Sequence, residues 1–260
     1  MAVLATIHSL AHTCMQGLLE LVLPGVCPAC QAVAAEDGWL CPQCQADLLA
    51  LVARTYCPRC GCSLPLGSQP RPDGCPACPA TLPHFAQMVR LGPYSGPLRR
   101  IIRQIKYRSH DAAARRLGSL LATALTNQLQ GIAAVDLVLP IPAHWRRRLA
   151  RSYDHSRAIA KAMARHLDVP MGNELIRTRH TPPQAHLPRT RRLENVRNAF
   201  KVTSPATIAG ATIALVDDVS TTGATAEEAA RTLLKAGALR VIVAVIAKAD
   251  PPKAYAKQEV

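Results

Sequence analysis

Four Cys-x-x-Cys pairs constrain this chain more than any other feature of its sequence. Such a pair places two thiolates on one side of a tight turn, and two pairs supply the four ligands of a tetrahedral zinc site. Ten residues separate the first two pairs and fourteen separate the last two. The spacing therefore predicts structural zinc, with two sites favoured over one. The pairs are Cys27/Cys30, Cys41/Cys44, Cys57/Cys60 and Cys75/Cys78.

Other uses of these cysteines are less favoured. A disulfide framework needs an oxidising compartment, and a thioredoxin-like redox site needs one such motif rather than four. Sequential ribbons, each using two successive pairs, are favoured over a cross-braced arrangement, which stays open. Cys62 is interpreted as a bystander rather than a spare ligand. A module this small buries little apolar surface, so bound zinc would supply its folding energy.

The charge of the chain indicates a polyanionic partner. Its 260 residues carry a net charge of +14, with 31 basic against 17 acidic side chains. Nucleic acid, a phosphate-bearing substrate and a membrane surface all fit this balance. An aromatic content of 3% argues against stacking of aromatic side chains on bases as the main way of binding nucleic acid. One basic cluster runs from Arg99 to Arg116, and a second lies between Arg146 and Lys201.

Residues 1–24 are predicted to form an amphipathic helix. Their apolar positions follow helical spacing, and Pro24 ends the run. The stretch lacks the basic start of a signal peptide, and no segment has the length and purity of a membrane span. We therefore expect a cytoplasmic protein, associated with a membrane only through a partner.

From Gln87 onward, strands and helices alternate, which predicts an α/β fold with a parallel sheet covered on both faces. Ligands of such sheets bind beyond the carboxyl ends of the strands. Ser152 is the predicted N-cap of the third helix. The predicted strands are Gln87–Leu91, Asp136–Ile141, Ala211–Val216 and Arg240–Ala247. The predicted helices are Pro97–Tyr107, Asp111–Gln130, Ser152–Leu167 and Thr222–Ala236.

One predicted strand end carries the sharpest chemical signal, an acidic pair followed by hydroxyls and a glycine. Backbone N–H groups at a helix start, together with threonine hydroxyls, would hold a phosphate monoester. The adjacent carboxylates suit a vicinal diol, or a divalent ion held with pyrophosphate. The segment thus predicts a site for a phosphorylated ribose, and it does not match a Walker A loop. The predicted ligand-binding residues are Asp217, Asp218, Ser220, Thr221, Thr222, Gly223, Ala224 and Thr225.

This segment resembles the phosphoribosyl pyrophosphate (PRPP) loop of type I phosphoribosyltransferases. Almost the whole chain is similar to the ComF family. Besides this segment, the motifs that carry the resemblance are the four Cys pairs, Tyr94–Arg100, Lys106-Tyr107 and Pro140-Ile141-Pro142. After the helix predicted at 1–24, the resemblance implies a double zinc ribbon at 25–85 and a phosphoribosyltransferase-like domain at 86–260. It also implies PRPP with magnesium as ligand, and a role in DNA uptake, natural transformation or the use of external DNA.

The chain departs from the family at one turn. The usual Arg-Gly-Phe-Asn-Gln is replaced by Arg151-Ser152-Tyr153-Asp154-His155. Thr221 stands where purine-type relatives often carry an aspartate that acts as general acid or base. The sequence therefore shows no acid–base group for a purine acceptor. Four histidines could substitute for that base, but each is interpreted as an ordinary surface histidine: His144, His155, His180 and His186. Candidate contacts to phosphate, pyrophosphate or DNA are Lys106, Arg146, Arg147, Arg151, Arg189 and Arg192.

Three interpretations of function stay open. The favoured one is a ComF-like protein that binds PRPP or a related phosphoribosyl ligand and handles incoming single-stranded DNA, alone or with DNA-uptake proteins. The second is an active phosphoribosyltransferase on a small acceptor that the sequence does not identify. The third is a non-catalytic adaptor that senses a phosphosugar.

Overall fold

A computed structural model describes residues 25–35, 38–71, 73–79, 83–107, 111–129, 134–143, 154–179 and 191–251. The predicted N-terminal helix at 1–24 lies outside these residues. The helices are α1 (Pro42–Val52), α2 (Gly96–Tyr107), α3 (Asp111–Gln128), α4 (His155–Leu167), α5 (Arg192–Val196), α6 (Pro205–Ile208) and α7 (Ala224–Lys235). The strands are β1 (Gln87–Pro93), β2 (Leu137–Pro140), β3 (Leu175–Arg177), β4 (Phe200–Val202), β5 (Thr212–Ser220) and β6 (Arg240–Lys248).

The predicted parallel sheet is confirmed. Its four strands lie in the order β1-β6-β5-β2, and each neighbouring pair is parallel. Successive residues of β5 point to opposite faces, so Ile213 and Leu215 enter one core while Ala214 and Val216 enter the other. Helices α2, α3 and α4 cover the Val216 face, and α7 covers the Leu215 face. Strands β3 and β4 form a separate antiparallel pair.

Several predicted boundaries were wrong by a few residues. Strand β5 continues to Ser220 rather than ending at Val216, because its backbone keeps pairing with β6 as far as Lys248. Helix α7 begins at Ala224 rather than Thr222, since Gly223 precedes it with φ of 84°. Helix α4 begins at His155, and its N-cap is Asp154, not Ser152.

The other predicted elements match the structure to within a few residues, whereas α1, α5, α6, β3 and β4 were not predicted. The cap of α4 is a carboxylate because Asp154 accepts the backbone N–H of Arg157 at 3.1 Å. Helix α3 ends at Gln128 rather than Gln130, and β2 covers 137–140 of the predicted 136–141. Strands β1 and β6 each continue beyond the predicted end, to Pro93 and Lys248.

The Cys-rich region contains the same turn twice, thirty residues apart. We call residues 27–33 the first knuckle and residues 57–63 the second knuckle. In the first, Cys27 N–H donates to Ala32 O, and in the second, Cys57 N–H donates to Cys62 O. The residue after the second cysteine has a left-handed backbone in both, with φ of 67° at Gln31 and 74° at Gly61. The two knuckles therefore have the same backbone turn.

Both ribbons pack against the α/β body, but through different surfaces. Leu48 and Leu51 of α1, in the first ribbon, join the apolar core that contains α2. Tyr56, which precedes the second knuckle, donates its hydroxyl to Gln128 of α3 at 2.5 Å. No helix among the described residues is long and apolar enough to cross a bilayer.

Candidate functional site

The eight paired thiols form two groups, and the sequential arrangement is the one observed. Cys27, Cys30, Cys41 and Cys44 form one group, and Cys57, Cys60, Cys75 and Cys78 form the other; within each, the four sulfur atoms lie within 4.8 Å of one another. The Sγ–Sγ distance is 3.5 Å for Cys30–Cys41 and 3.6 Å for Cys60–Cys75. Four ligands at about 2.3 Å from zinc lie about 3.8 Å apart, whereas a disulfide would need about 2.0 Å. Both groups therefore fit a structural zinc ion.

The protonation of these thiols also favours a metal. Burial, together with hydrogen bonds to the neighbouring Cys30 and Cys41 thiols, raises the pKa of the Cys44 thiol to about 12. Burial likewise raises the pKa of Cys78 to about 11. Four thiols held this close cannot all ionise without a cation, and zinc supplies that charge. Cys62 is buried but belongs to neither group, as predicted.

The phosphate loop, residues 220–223, joins β5 to α7. Its Gly223 has a left-handed backbone and gives α7 no side-chain cap, so the helix start is open to a ligand. Thr222 Oγ1 accepts the backbone N–H of Ala224 at 3.3 Å. Ser220 is buried, and its Oγ has no hydrogen-bond partner among the described residues. The small concavity here is also lined by Asp217, Thr221 and Thr225.

The acidic pair sits in a closed network before this loop. Asp218 Oδ2 lies 2.6 Å from Lys106 Nζ of α2 and 3.0 Å from His155 Nε2 of α4. Asp217 Oδ1 accepts the backbone N–H of Asp218 at 2.9 Å and the hydroxyl of Ser156 at 3.3 Å. Two helices thus hold the carboxylates at the strand end where ligands of parallel sheets bind.

The two carboxylates differ in charge. Burial and the charge of Asp218 raise the pKa of Asp217 to about 7. Burial also disfavours the charge of Asp218, but the His155 hydrogen bond and the Lys106 charge outweigh it and hold its pKa well below the usual range. Asp218 is therefore the permanent anion of the pair, while Asp217 exchanges its proton near neutral pH.

The structure brings together some of the predicted site residues. Lys106, a candidate phosphate or DNA contact, lies at the acidic pair with its ammonium on Asp218. Arg192 is half-buried at the start of α5. Arg146, Arg147, Arg151 and Arg189 lie outside the described residues, as do His144, His180 and His186.

The interpretation of His155 as a surface histidine was wrong. Its side chain is 13% exposed and contacts Asp218, because α4 begins directly beside the end of β5. The one available signal was its place in the turn where the family usually carries glutamine. Ser156, which donates to Asp217, was also missed, since no local pattern links a helix start to a distant strand end.

Comparisons with known protein families agree with this architecture. The family described as "Double zinc ribbon domain" matches residues 18–82, and "Phosphoribosyl transferase domain" matches residues 154–259. Among solved structures, the Bacillus subtilis glutamine PRPP amidotransferase complexed with ADP and GMP is 24% identical, with a TM-score of 0.35. That match covers 51% of this chain and 26% of the other.

Two curated relatives are similar over most of their length. The "DNA utilization protein YhgH" of Escherichia coli O157:H7 is 32% identical over 227 residues, which are 86% of this chain and 96% of the relative. The "Competence protein F" of Haemophilus influenzae is 31% identical over 222 residues, 83% of this chain and 92% of the relative. With two Cys₄ groups before a phosphoribosyltransferase-like sheet, this chain belongs to the ComF family.

Proposed function

We propose that this protein binds PRPP, or a related phosphoribosyl ligand, at the phosphate loop and acts in the uptake or use of external DNA. One observation supports this choice of ligand most strongly. The open start of α7 lies beside the buried Ser220 hydroxyl, which has no hydrogen-bond partner among the described residues. A buried hydroxyl without a hydrogen bond is costly, and a bound phosphate oxygen would satisfy it.

The loop has the properties that a phosphate monoester requires. The start of α7 carries a partial positive charge and directs backbone N–H groups outward. A Cβ on Gly223 would meet no atom closer than 4.0 Å, yet its φ of 84° strains any other residue. The glycine thus keeps the loop in this shape, and the backbone stays accessible to an anion.

The acidic pair suits the sugar. The described contacts of Asp217, with the Ser156 hydroxyl and the backbone N–H of Asp218, both involve Oδ1. Its other carboxylate oxygen could therefore accept hydrogen bonds from two ribose hydroxyls. The charge of Asp218 is balanced by the Lys106 ammonium, and His155 Nε2 lies 3.0 Å from the same oxygen. Magnesium bound to the pyrophosphate would approach the acidic pair from the ligand side, because magnesium prefers oxygen ligands such as carboxylates.

The names of the curated relatives support the role in DNA use, and the arginines of α2 offer a surface for it. Arg99, Arg100 and Arg103 are exposed. Arg100 and Arg103 also line a cleft of about 710 Å³ beside Cys30 and Cys41 of the first ribbon. Arginines on one helix face supply the sequence-independent attraction to phosphates that single-stranded DNA offers.

Calorimetric titration of ribose 5-phosphate tests the phosphate loop. Because hydrogen bonds to charged groups contribute about 1.5–3 kcal/mol, Ser220→Ala should weaken binding about tenfold or more. Ser204→Ala removes an exposed hydroxyl that caps nothing, and should leave binding unchanged. Equal affinity of both variants would remove Ser220 from the site.

Turnover distinguishes the remaining alternatives. An active transferase releases pyrophosphate from PRPP when its acceptor is present, and a coupled pyrophosphate assay across base and small-amine acceptors detects it. PRPP affinity without release, with every acceptor, would instead favour the phosphosugar-sensing adaptor.

Fluorescence anisotropy with a labelled oligonucleotide tests the DNA surface. Arg100→Glu/Arg103→Glu should weaken binding strongly at low salt and flatten its salt dependence, because fewer counterions are released. Arg165→Glu/Lys235→Glu changes the same charge at exposed positions of α4 and α7 and is the matched control. Equal loss in both pairs would indicate only a general charge effect.

A further inference from the structure

The second knuckle and the phosphate loop meet at the same short segment, the end of β6 and the two residues that follow it. This segment is Lys248-Ala249-Asp250. Lys248 and Ala249 contact the phosphate loop, while Lys248 and Asp250 contact the second knuckle. The contact is unexpected from the sequence, because the knuckle and the loop lie far apart along the chain.

On the loop side, both contacts are hydrogen bonds to carbonyl oxygens. Ala249 N–H donates to Ser220 O at 2.8 Å, and the Lys248 ammonium donates to Thr221 O. Lys248 is only 2% exposed. A buried lysine is costly unless its charge is well placed, and this one fixes the carbonyl that precedes the phosphate-binding turn.

On the knuckle side, the contacts are equally close. Ser63 donates both its N–H, at 2.8 Å, and its hydroxyl, at 2.7 Å, to the Asp250 carboxylate. The buried Arg90 of β1 donates to the Ser63 hydroxyl at 2.8 Å and lies 3.8 Å from Asp250. A buried charge with two oriented partners holds this corner in one arrangement.

Gly61 brings the knuckle against the lysine itself. A Cβ placed on Gly61 would lie 2.6 Å from Met88 Sδ and 3.6 Å from Lys248 Cδ. Met88 N–H also donates to Pro58 O of the knuckle at 2.7 Å. The Lys248 stem therefore packs on the turn that carries Cys57 and Cys60, while its ammonium holds the phosphate loop.

We infer that the second knuckle sets the shape of the phosphate loop through Lys248, which acts as a positioning residue. Zinc at the second Cys₄ group and a phosphoribosyl ligand then bind cooperatively, and this part rests on the proposed function. Zinc fixes the knuckle, the knuckle fixes Lys248, and Lys248 fixes Thr221 O. Because binding linkage is reciprocal, the ligand must also strengthen zinc binding at that site.

The first experiment compares Lys248→Met with Lys235→Met. Both remove one lysine charge, but Lys235 is exposed at the end of α7. Lys248→Met should weaken ribose 5-phosphate binding about fivefold or more, the lower range of common coupling, and should speed amide exchange of residues 220–225. Zinc content should stay unchanged in both. Wild-type affinity and wild-type exchange in Lys248→Met would overturn the inference.

A second pair avoids any dependence on the lysine charge. Gly61→Ala and Gly67→Ala impose the same backbone strain, at φ of 74° and 77°, but only Gly61 has atoms within 4 Å of the new Cβ. Gly61→Ala should speed exchange of the phosphate loop and lower its affinity, while Gly67→Ala should do neither. Identical behaviour of the two variants would contradict the inference.

The reciprocal experiment measures zinc. Transfer of zinc to a chelator should slow for one of two ions when ribose 5-phosphate is present, and this protection should vanish in Lys248→Met. Protection of neither ion, with the ligand bound, would count against coupling. If wild-type protein does not bind ribose 5-phosphate, the proposed function fails, and loop exchange in the two variant pairs still decides whether the knuckle holds the loop.

Discussion

The two knuckles have the same backbone but different neighbours. At the left-handed position, the first knuckle carries an exposed Gln31, whereas the second carries Gly61 with Met88 pressed against it. The first ribbon packs through leucines of α1, and the second through the polar set Tyr56, Ser63 and its partners. The same turn thus stands beside an apolar support in the first ribbon and a fixed polar connection in the second.

This comparison explains why only one copy needs a glycine. A left-handed backbone costs a non-glycine residue about 1–2 kcal/mol, which the first knuckle accepts because its Gln31 side chain points into open solvent. The second knuckle would meet the same cost and also a steric clash with β1. The surroundings, rather than the zinc turn itself, therefore decide the residue.

The largest expected effect comes from metal removal at the second site. Cys57→Ser and Cys27→Ser should each lose one zinc ion per chain, measured by elemental analysis. Cys57→Ser should destabilise the α/β body more, by about 3–5 kcal/mol, because Arg90 would stay buried without its partners. Equal loss of stability in urea unfolding would mean that the two supports are equivalent.

A smaller effect is expected from the carboxylate of the polar connection. Asp250→Ala should cost about 2–3 kcal/mol, since it leaves Arg90 without its opposite charge and Ser63 without its acceptor. The control is Asp73→Ala, which breaks the solvent-exposed pair with Arg71 and should leave stability nearly unchanged. Chemical unfolding measures the stability of both variants. Similar losses of stability would mean that the polar connection through Asp250 does not stabilise the fold.

On the apolar side, Leu51→Ala should cost about 2 kcal/mol. Leu51 is buried and lies beside Gly92 of β1 and Leu98 of α2, so its removal leaves a cavity. Ribose 5-phosphate affinity should change little, because Leu51 is connected to the site through α2, whose Lys106 contacts Asp218 rather than the phosphate loop. A matching drop in affinity would show that both ribbons communicate with the site.

The smallest effect is expected from Gln31→Gly, which relieves the left-handed strain of the first knuckle. Stability should rise by about 1 kcal/mol or less, because the added freedom of glycine in the unfolded chain offsets part of the gain. The midpoint of thermal unfolding measures it. A clear loss of stability would mean that the Gln31 side chain stabilises the knuckle.

Local patterns in the sequence predicted much of this molecule. The cysteine spacing predicted both Cys₄ groups and their sequential pairing, and the apolar run before Asp217 predicted the central strand. Both depend on residues close together in the chain. The strand end was missed because pairing with β6 extends it, and pairing partners are distant in sequence.

The missed contacts are long-range for the same reason. Lys106 and His155 reach Asp218 from two different helices, and nothing local marks either one as its partner. The contact of Lys248 with Thr221 likewise appears only when the sheet is assembled. Residue types thus predicted the ligand class, while the electrostatics of the acidic pair required the fold.

The most direct test of the proposed ligand is calorimetric titration of PRPP, with magnesium, into wild-type protein and Asp217→Asn/Asp218→Asn. A folded double variant with two zinc ions per chain serves as the valid comparison. We expect wild-type protein to bind PRPP and the double variant to lose that binding, because each asparagine has no negative charge and offers the ribose hydroxyls one acceptor oxygen instead of two. Equal binding by both, or no binding by wild-type protein, would contradict the account.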